Sequence, residues 1–301
     1  TFRRIRGELF QYNEWSFGGE PTERFLFYSF GGTFRNNHSV NVNGQVRLST
    51  FSMTALRGGP ALRENGGSNI GINYNSDRRD ALQVGLSASY YTSFGTDGYS
   101  YGLRPELRWR PTARARVSLE PRLSVSRDPS QYVESVTVDD RTEYVFAHIR
   151  RRTLAVTTRA SYAFSPNVTL QVYAQPFIGT GDYSTFAAVD QPAADTFTDR
   201  FDALGDRVSF DATDDTYRVD ADRDGQPDYS FDDPDFTFQQ LRSTVVFRWH
   251  YRRGSNLYFV WNRGRTLDRG VADFAPADGL GTLFRGGSNT FAVKMDFWFG
   301  V

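Results

Sequence analysis

The sequence contains no cysteine, a single lysine and three histidines. Without cysteine the chain has no disulfide framework, no thiolate zinc site and no thiol nucleophile. Its 35 basic and 35 acidic residues give a net charge of zero. This balance argues against nucleic acid as a partner, because binding a phosphate backbone needs a basic excess. The positive charge is nearly all arginine, which fits either a GC-rich genome or a need for bidentate contacts to carboxylate and phosphate groups.

Long hydrophobic runs are also absent. The mean hydropathy is −0.53, and no segment reaches the roughly 18 consecutive apolar residues of a membrane helix. Transmembrane β-strands need an apolar residue only at every second position, so a barrel is not excluded. The sequence begins with Thr-Phe-Arg-Arg and shows no signal peptide. If the protein is exported, we expect the signal to have been removed or to lie outside this sequence.

A period of two residues dominates the chain. Apolar side chains alternate with polar ones in residues 40–48, 82–90, 103–125, 168–175, 240–249 and 291–299. No segment shows a comparable period of 3.6 residues, so the sequence predicts an all-β chain. Twelve strands are predicted, over residues 2–14, 22–35, 39–53, 66–76, 80–92, 98–111, 113–137, 142–164, 167–180, 236–250, 254–263 and 288–299.

Short and long connections alternate between the predicted strands. Short turns fall at 36–37, 76–78, 111–112, 165–167 and 252–255, and longer links at 54–65, 93–97, 181–235 and 266–287. Bacterial outer-membrane barrels have short periplasmic turns and long outer loops. Residues 1–301 are therefore predicted to form an antiparallel transmembrane β-barrel in the outer membrane of a Gram-negative-type bacterium. Lipid and lipopolysaccharide would surround it, and the acidic loop 181–235 would be extracellular.

The alternation alone does not say which face is inside. A barrel of twelve strands is too wide for valine and leucine side chains to fill, whereas arginine and glutamate suit a water-filled lumen. The residues predicted to line this lumen are Arg104, Glu106, Arg108, Arg116, Glu120, Arg122, Arg242 and Arg248. Two roles remain open for them: cross-strand pairs that rigidify the wall, or charged rows that tune the passage of ions or sugar acids.

Two further features refine the strand prediction. Aromatic residues near strand ends are predicted to form interfacial girdles, among them Tyr12, Trp109, Phe164, Trp249 and Trp261. Three prolines inside strands, each of which removes a ladder donor, are predicted to sit at bulges; they are Pro105, Pro121 and Pro176.

The strongest local motif is the acidic run 220–228. Oxygen ligands at alternate positions with glycine at the sixth are what a calcium loop requires. Asp220, Asp222 and Asp224 would supply carboxylates, Gln226 its backbone carbonyl, and Asp228 a carboxylate directly or through water. The twelfth position is phenylalanine rather than a bidentate glutamate, so Asp232, Asp233 or Asp235 would complete the shell. The alternative is a solvated acidic turn without an ion.

Features of an enzyme are scarce. His38, His148 and His250 fall on separate predicted strands, without a second ligand at metal spacing. The pattern Gly-x-Ser-x-Gly occurs at residues 98–102, but it lies in the predicted strand 98–111 and not at the strand-to-helix turn that a nucleophile elbow needs. The chain is therefore expected not to be an enzyme, with a barrel-embedded hydrolase as a minor alternative.

Five runs of sequence together resemble one bacterial family. They are ALRGGPALR at 55–63, QYV at 131–133, LQVYAQPF at 170–177, RSTVVFRW at 242–249 and YRRGSNLYFVW at 251–261. The family is similar to outer-membrane barrels and is known only as a domain of unknown function. The resemblance implies an N-terminal module like carbohydrate-binding family nine and further barrel sequence upstream. The twelve strands would then be part of a larger wall. The family ends on an aromatic residue, whereas Gly300 and Val301 follow Phe299 here.

Two functions are expected to compete. The first is a channel or transport-related pore, with saccharide as one candidate solute. The second is a membrane anchor and surface-binding scaffold for the carbohydrate-binding-like module. An open lumen would favour the first, and a lumen plugged by 181–235 or by upstream sequence would favour the second. The protein partners, like the solute, are not specified by the sequence.

Overall fold

The computed structural model describes residues 1–138 and 141–299, and these are dominated by β-strands. Residues 139–140 and the terminal Gly300 and Val301 lie outside the described residues. The elements are β1 Phe2–Trp15, β2 Pro21–Phe34, β3 Ser39–Arg47, β4 Thr50–Ser52, β5 Leu62–Glu64, β6 Gly67–Asn75, β7 Leu82–Ser93, β8 Tyr99–Thr112, β9 Ala115–Val138, β10 Arg141–Ser165, β11 Val168–Val189, α1 Phe197–Arg200, β12 Phe201–Ala203, a 3-10 helix at Gly205–Arg207, β13 Val208–Asp211, β14 Thr216–Val219, β15 Tyr229–Asp232, β16 Phe236–Arg252, β17 Ser255–Arg269, α2 Pro276–Leu283 and β18 Ser288–Asp296.

Twelve strands form one antiparallel sheet in the order β1-β2-β3-β6-β7-β8-β9-β10-β11-β16-β17-β18, with β12 added beside β11. Each main strand pairs with the next main strand of the chain, as short connections favour. The prediction of an all-β chain with twelve main strands is confirmed. Within the described residues no ladder joins β1 to β18. The sheet therefore keeps two unpaired edges.

The two ends of the sheet differ in their connections. At the short-turn end the links are 35–38, 76–81, 113–114, 166–167 and 253–254. At the opposite end, here called the long-link end, the three longest links are 48–66, 190–235 and 270–287. Strands β9, β10 and β11 run to 24, 25 and 22 residues and extend beyond their neighbours at this end. They provide a platform on which the long links pack.

The two faces of the sheet carry different side chains. Directly opposed residues of an antiparallel pair share a face. Leu82 opposes Trp109, and Leu107 opposes Leu119; these four side chains are 50%, 48%, 40% and 38% exposed. We call this side the apolar face. The other side, which carries the arginine and glutamate rows of β8 and β9, is called the charged face.

Residues 181–235 are not one loop, which corrects the prediction. Strand β11 continues to Val189, and β13, β14 and β15 form a separate three-stranded sheet, here called the distal sheet. Its strands have four residues each, too few for a period of two to stand out. The distal sheet packs on the extended strands through Phe186, Tyr217 and Phe231, whose ring centroids lie 4.5–5.4 Å apart. Val145 and Val219 are fully buried beside them.

Helix α2 covers part of the apolar face near the long-link end. Its Leu283 packs against Ile178 and Leu241, and all three side chains are buried. The outward Arg263 and Arg265 of β17 donate to backbone carbonyls at and after the end of α2, at 2.6–2.8 Å. The apolar face therefore becomes polar at this level. No helix in the described ranges is long and apolar enough to cross a bilayer.

The predicted bulges at the prolines are absent from the described ladders. Pro105 and Pro121 lie opposite each other between the pairs Leu103–Leu123 and Leu107–Leu119, and the register is the same on both sides. The β10–β11 ladder likewise skips the residues around Pro176 without a shift. Because proline has no backbone N–H, these residues interrupt the hydrogen bonding locally. The register does not change, because the paired strand segments on both sides are long enough to fix it.

Candidate functional site

The register places all eight predicted lumen residues on the charged face. Arg104, Glu106 and Arg108 alternate with the outward Leu103 and Leu107 on β8. The same parity holds for the predicted residues of the two other strands, which are Arg116, Glu120, Arg122, Arg242 and Arg248. Strand pairing through β10 and β11 connects the two groups into one surface.

The two predicted glutamates on this face pair with arginines, and Glu120 bridges neighbouring strands. Glu120 on β9 lies 3.4 Å from Arg104 on β8 and 3.9 Å from Arg159 on β10. Glu106 pairs with Arg108 on its own strand. These arginines are about half exposed, so each pair contributes less than about 1 kcal/mol to stability. The pairs therefore fix the positions of the side chains but add little to the stability of the fold.

Most of the arginines on this face have no acidic partner. Within the described residues no carboxylate lies within 4.0 Å of Arg116, Arg122, Arg242 or Arg248. The charged face therefore carries a net positive charge, although the chain as a whole is neutral.

Sequence reasoning missed Arg159, which extends this surface onto β10. Its guanidinium lies 5.3 Å from the ring centroid of Tyr173 and also reaches Glu120. A concavity of about 400 Å³ is lined by Arg116, Arg159, Tyr173 and Thr244. The period of two along β10 carries the signal, because Arg159 alternates with Thr158 and Ala160.

An aromatic group on β1 and β2 was also missed. Phe10 faces Phe27 with ring centroids 4.9 Å apart, and Tyr12 stacks on Phe25 at 5.5 Å. The register through Phe25 and Arg47 puts these rings on the charged face. Tyr12 is therefore not part of an outward girdle, which corrects the prediction. Trp109 does lie on the apolar face near the short-turn end.

The acidic run 220–228 is the loop between β14 and β15. Carboxylate oxygens of Asp220, Asp222 and Asp224 lie within 4.8 Å of one another. The backbone N–H of Asp224 donates to Asp220 at 3.1 Å and to Asp222 at 3.0 Å. Gly225, the predicted sixth position, has φ +91°, a conformation that glycine adopts readily. The sharp turn that the motif requires is therefore present.

The remaining predicted ligands have other positions. Asp228 accepts hydrogen bonds from the backbone N–H groups of Ala221 and Asp222, at 2.6 and 3.3 Å, and so closes the loop. Gln226 donates its backbone N–H to Asp224 at 2.8 Å. Asp228 lies outside the cluster of three carboxylates, and the backbone carbonyl of Gln226 stays a predicted ligand.

The candidates for completing the shell are largely engaged elsewhere. Asp235 accepts the backbone N–H of Tyr183 at 2.6 Å, and its burial raises the pKa of that carboxyl. Asp233 accepts the N–H of Asp235 at 3.1 Å. These two side chains fix the return from the distal sheet to β16. Asp232, at the end of β15, is exposed and remains the freer candidate of the three.

The base of the acidic loop is rigid. Asp228 donates its N–H to the carbonyl of Val219 at 2.8 Å, and Asp220 donates to the carbonyl of Arg207 at 2.9 Å. Burial raises the pKa of Tyr229, directly after the loop, to about 12. The loop thus presents three carboxylates from a fixed support, of which Asp222 and Asp224 are exposed and Asp220 is partly buried. Oxygen donors of this kind suit a hard cation such as Ca²⁺.

The three histidines stay apart, as their sequence positions suggested. His38 hydrogen-bonds Tyr74 at 2.8 Å, His148 lies 3.3 Å from Arg127, and His250 lies 3.1 Å from Asn256. Each is accounted for by a local polar partner.

Comparison with known proteins gives one family and a distant structural likeness. The model of a family described as "Domain of unknown function (DUF5916)" matches residues 20–300. No curated protein sequence matches the chain. Among solved structures, a protein named copper transporter OprC is similar with a TM-score of 0.49 and 11% identity, covering 97% of this chain and 43% of that one. The chain thus spans less than half of that structure's length, and a likeness at this level assigns no function.

Proposed function

The chain belongs to the DUF5916 family of unknown function, and from this membership we propose that its sheet is part of the wall of a solute-conducting β-barrel in the outer membrane of a Gram-negative-type bacterium. The observation that carries the proposal is the inverted distribution of side chains between the two faces. Exposed leucines, valines and aromatic rings cover one face, and arginines and glutamates cover the other. Soluble monomers rarely expose apolar patches beyond a few hundred Å².

The height of the apolar band fits a bilayer. On β9, the outward positions are apolar from Ala115 to Val125, and the next outward residue is Arg127. This run is close to the 9–11 residues that a tilted strand needs to cross the hydrocarbon core. On β17 the same change occurs between Trp261 and Arg263. Both transitions lie toward the long-link end, so the long links would sit outside the membrane.

The unpaired edges require partners in this setting. Backbone N–H and C=O groups left open in hydrocarbon cost several kcal/mol each. Strands β1 and β18 would therefore pair with further strands of the same wall, as the family resemblance implies. The pore would be wider than twelve strands alone enclose.

The charge on the inner face predicts the selectivity of the pore. Anions are expected to permeate more readily than cations, because unpaired arginines outnumber the glutamates along the charged face. Replacing Glu106 and Glu120 together with glutamine should shift the reversal potential further toward anion selectivity. Arg116→Gln should shift it the opposite way, and Glu143→Gln on the extended β10 strand should leave it unchanged. The measurement is the reversal potential of the full-length protein in planar bilayers under a salt gradient.

Absence of conductance would overturn the pore. A folded, membrane-inserted protein that conducts nothing would instead support the second candidate function, a membrane anchor with a surface-binding end. That candidate is favoured by the contacts between link 48–66 and α1, which lie across the charged face at the long-link end. A saccharide as solute or surface ligand, and the carbohydrate-binding-like module, belong to this same proposal. No enzymatic step is part of it.

A calcium ion is proposed at the acidic loop, where it would stiffen the distal sheet. Asp220, Asp222 and Asp224 would hold it, and the ion would neutralise their mutual repulsion. Weak binding is expected, as in other extracellular calcium modules. Adding Ca²⁺ to metal-free protein should raise the melting temperature of the distal sheet, and Asp222→Asn should remove this response.

The exposed Asp232→Asn is the matched control for this prediction. It should retain the response to Ca²⁺ if Asp220, Asp222 and Asp224 suffice. A melting temperature that does not change on adding Ca²⁺ or a chelator would rule the ion out.

A further inference from the structure

A cavity of about 340 Å³ lies at the long-link end of the charged face. Its floor is formed by the sheet, including Tyr91, Ser93 and Ser126, and its roof by Arg63, Asn65 and α1. The roof segments come from two different links, 48–66 and 190–235. Neither the acidic loop nor the arginines named in the pore selectivity prediction take part in it.

Arg200 fixes the roof of the cavity. It is 2% exposed, and its guanidinium donates to the carbonyl oxygens of Thr196 and Arg63 and to the side-chain oxygen of Asn65. All three acceptors are neutral, so none balances the charge. Burial lowers the pKa of Arg200, the nearby Arg63 lowers it further, and the carboxylate of Asp195 partly offsets both effects. The fold thus keeps a buried positive charge at the roof that is hydrogen-bonded only to neutral oxygens.

Arg151, which is partly exposed, provides a second positive charge from the floor. It pairs across the ladder with Ser126 and donates to the side-chain oxygen of Gln131, another neutral acceptor. In the described part of the chain, neither Arg151 nor Arg200 has a carboxylate within 4.0 Å. Arg200 is the buried one of the two, and a buried positive charge normally has an acidic partner. This absence points to an anion from outside the chain.

The other arginines around the cavity have their own partners. Arg47 pairs with Glu23 at 3.0 Å, Arg63 with Asp195 at 3.1 Å, and Arg127 with Asp97 at 2.7 Å. The lining contains two carboxylates, which belong to Glu64 and Asp128. Asp128 accepts the N–H of Ser130 at 3.0 Å and its hydroxyl at 3.3 Å. Glu64 is exposed to solvent, and Arg151 and Arg200 are therefore the two arginines of the lining left for a ligand.

The rest of the lining indicates what else the ligand carries. Hydroxyl groups surround the space, from Tyr91, Ser93, Thr96, Ser100, Ser126 and Ser130. Phe197 and Phe201 add apolar ring surface on the roof. The volume is near the lower limit of small-molecule sites, about 300 Å³. Such a site fits a compact molecule with several hydroxyl groups and one anionic group.

We propose that this cavity binds a small polyhydroxylated anion, of the size of one sugar ring, through Arg151 and Arg200. Arginine forms bidentate hydrogen bonds with both carboxylate and phosphate groups. Sugar acids and sugar phosphates are therefore the two candidate ligand classes, because both combine hydroxyl groups with an anionic group. This binding proposal does not depend on the pore proposal, because the cavity can bind a ligand whether or not the protein conducts.

Calorimetric titration of the full-length protein in detergent tests the site with four probes: glucuronate, glucose 6-phosphate, glucose and inorganic phosphate. At least one of the two anionic sugars should bind, and which one identifies the source. Arg151→Gln should weaken that binding about tenfold or more, which corresponds to loss of a charge-assisted hydrogen bond. Arg253→Gln, in the short turn between β16 and β17, should bind like the unaltered protein.

Three outcomes would overturn the proposal. The first is that neither anionic sugar binds, and the second is that glucose binds as tightly as the anionic sugars. The third is that Arg151→Gln, shown by its melting curve to be folded, binds without loss. Inorganic phosphate binding as tightly as glucose 6-phosphate would overturn the role of the hydroxyl groups. Because titration in detergent measures no transport, a failure here is distinct from a failure of the pore.

Discussion

Leu119→Arg is expected to destabilise the folded, membrane-inserted protein by about 2–4 kcal/mol, the range for an arginine on the lipid face near the midplane. Leu119 lies halfway along the apolar run of β9 and opposes Leu107 across the ladder. Its outward side chain would place the charge in hydrocarbon. Urea titration of the folded fraction in lipid vesicles measures the change.

The neighbouring Ser118→Arg is the matched control. Ser118 opposes Arg108 on the charged face, so an added arginine there would remain in water. A loss of less than about 1 kcal/mol is expected, as for a surface substitution. If Ser118→Arg destabilised the protein more than Leu119→Arg, the charged face and not the apolar face would contact lipid. That result would refute the proposed membrane barrel.

Phe231→Ala should unfold the distal sheet while leaving the main sheet folded. Phe231 is 3% exposed and packs between Phe186 and Tyr217, with ring centroids at 5.0 and 5.4 Å. Truncating a buried phenylalanine to alanine costs about 3–5 kcal/mol. The distal sheet has only three short strands, so a loss of this size should exceed its local stability.

Limited proteolysis is the measurement for this second prediction. New cleavage sites are expected within residues 190–235, whereas the main sheet stays protected in detergent. Phe210→Ala is the control, because Phe210 is 47% exposed on β13 and makes a single ring contact with Tyr217 at 4.9 Å. It should lose about 1 kcal/mol. Equal proteolysis of the two variants would show that the cluster around Phe231 does not hold the distal sheet.

The period of two was sufficient to predict the main sheet. Side chains of a strand point alternately to its two faces, so each long strand carries its own signal. The twelve predicted strands and the sharing of one face by Arg104, Glu120 and Arg242 follow from local sequence. The turn at Gly225 was also predictable from local sequence, because a glycine in an acidic run marks a tight loop.

The structure at the long-link end could not be predicted from the period of two. Strands of four residues, such as β14 and β15, are too short to show a period, and the extension of β11 to Val189 depends on pairing with β10. Arg200 looks like any other arginine in the sequence. Only the folded chain brings it beside Arg63 and Asn65, more than 130 positions away.

The sequence by itself determined that this protein is an all-β chain with one apolar and one charged face, because alternation is a property of each strand. Tertiary structure decided the distal sheet, the two edges left unpaired among the described residues, and the cavity lined by Arg151 and Arg200. Each of these depends on pairings between distant segments, which no local pattern records. The charged face was therefore predicted from the sequence, and the candidate binding site at its end only from the fold.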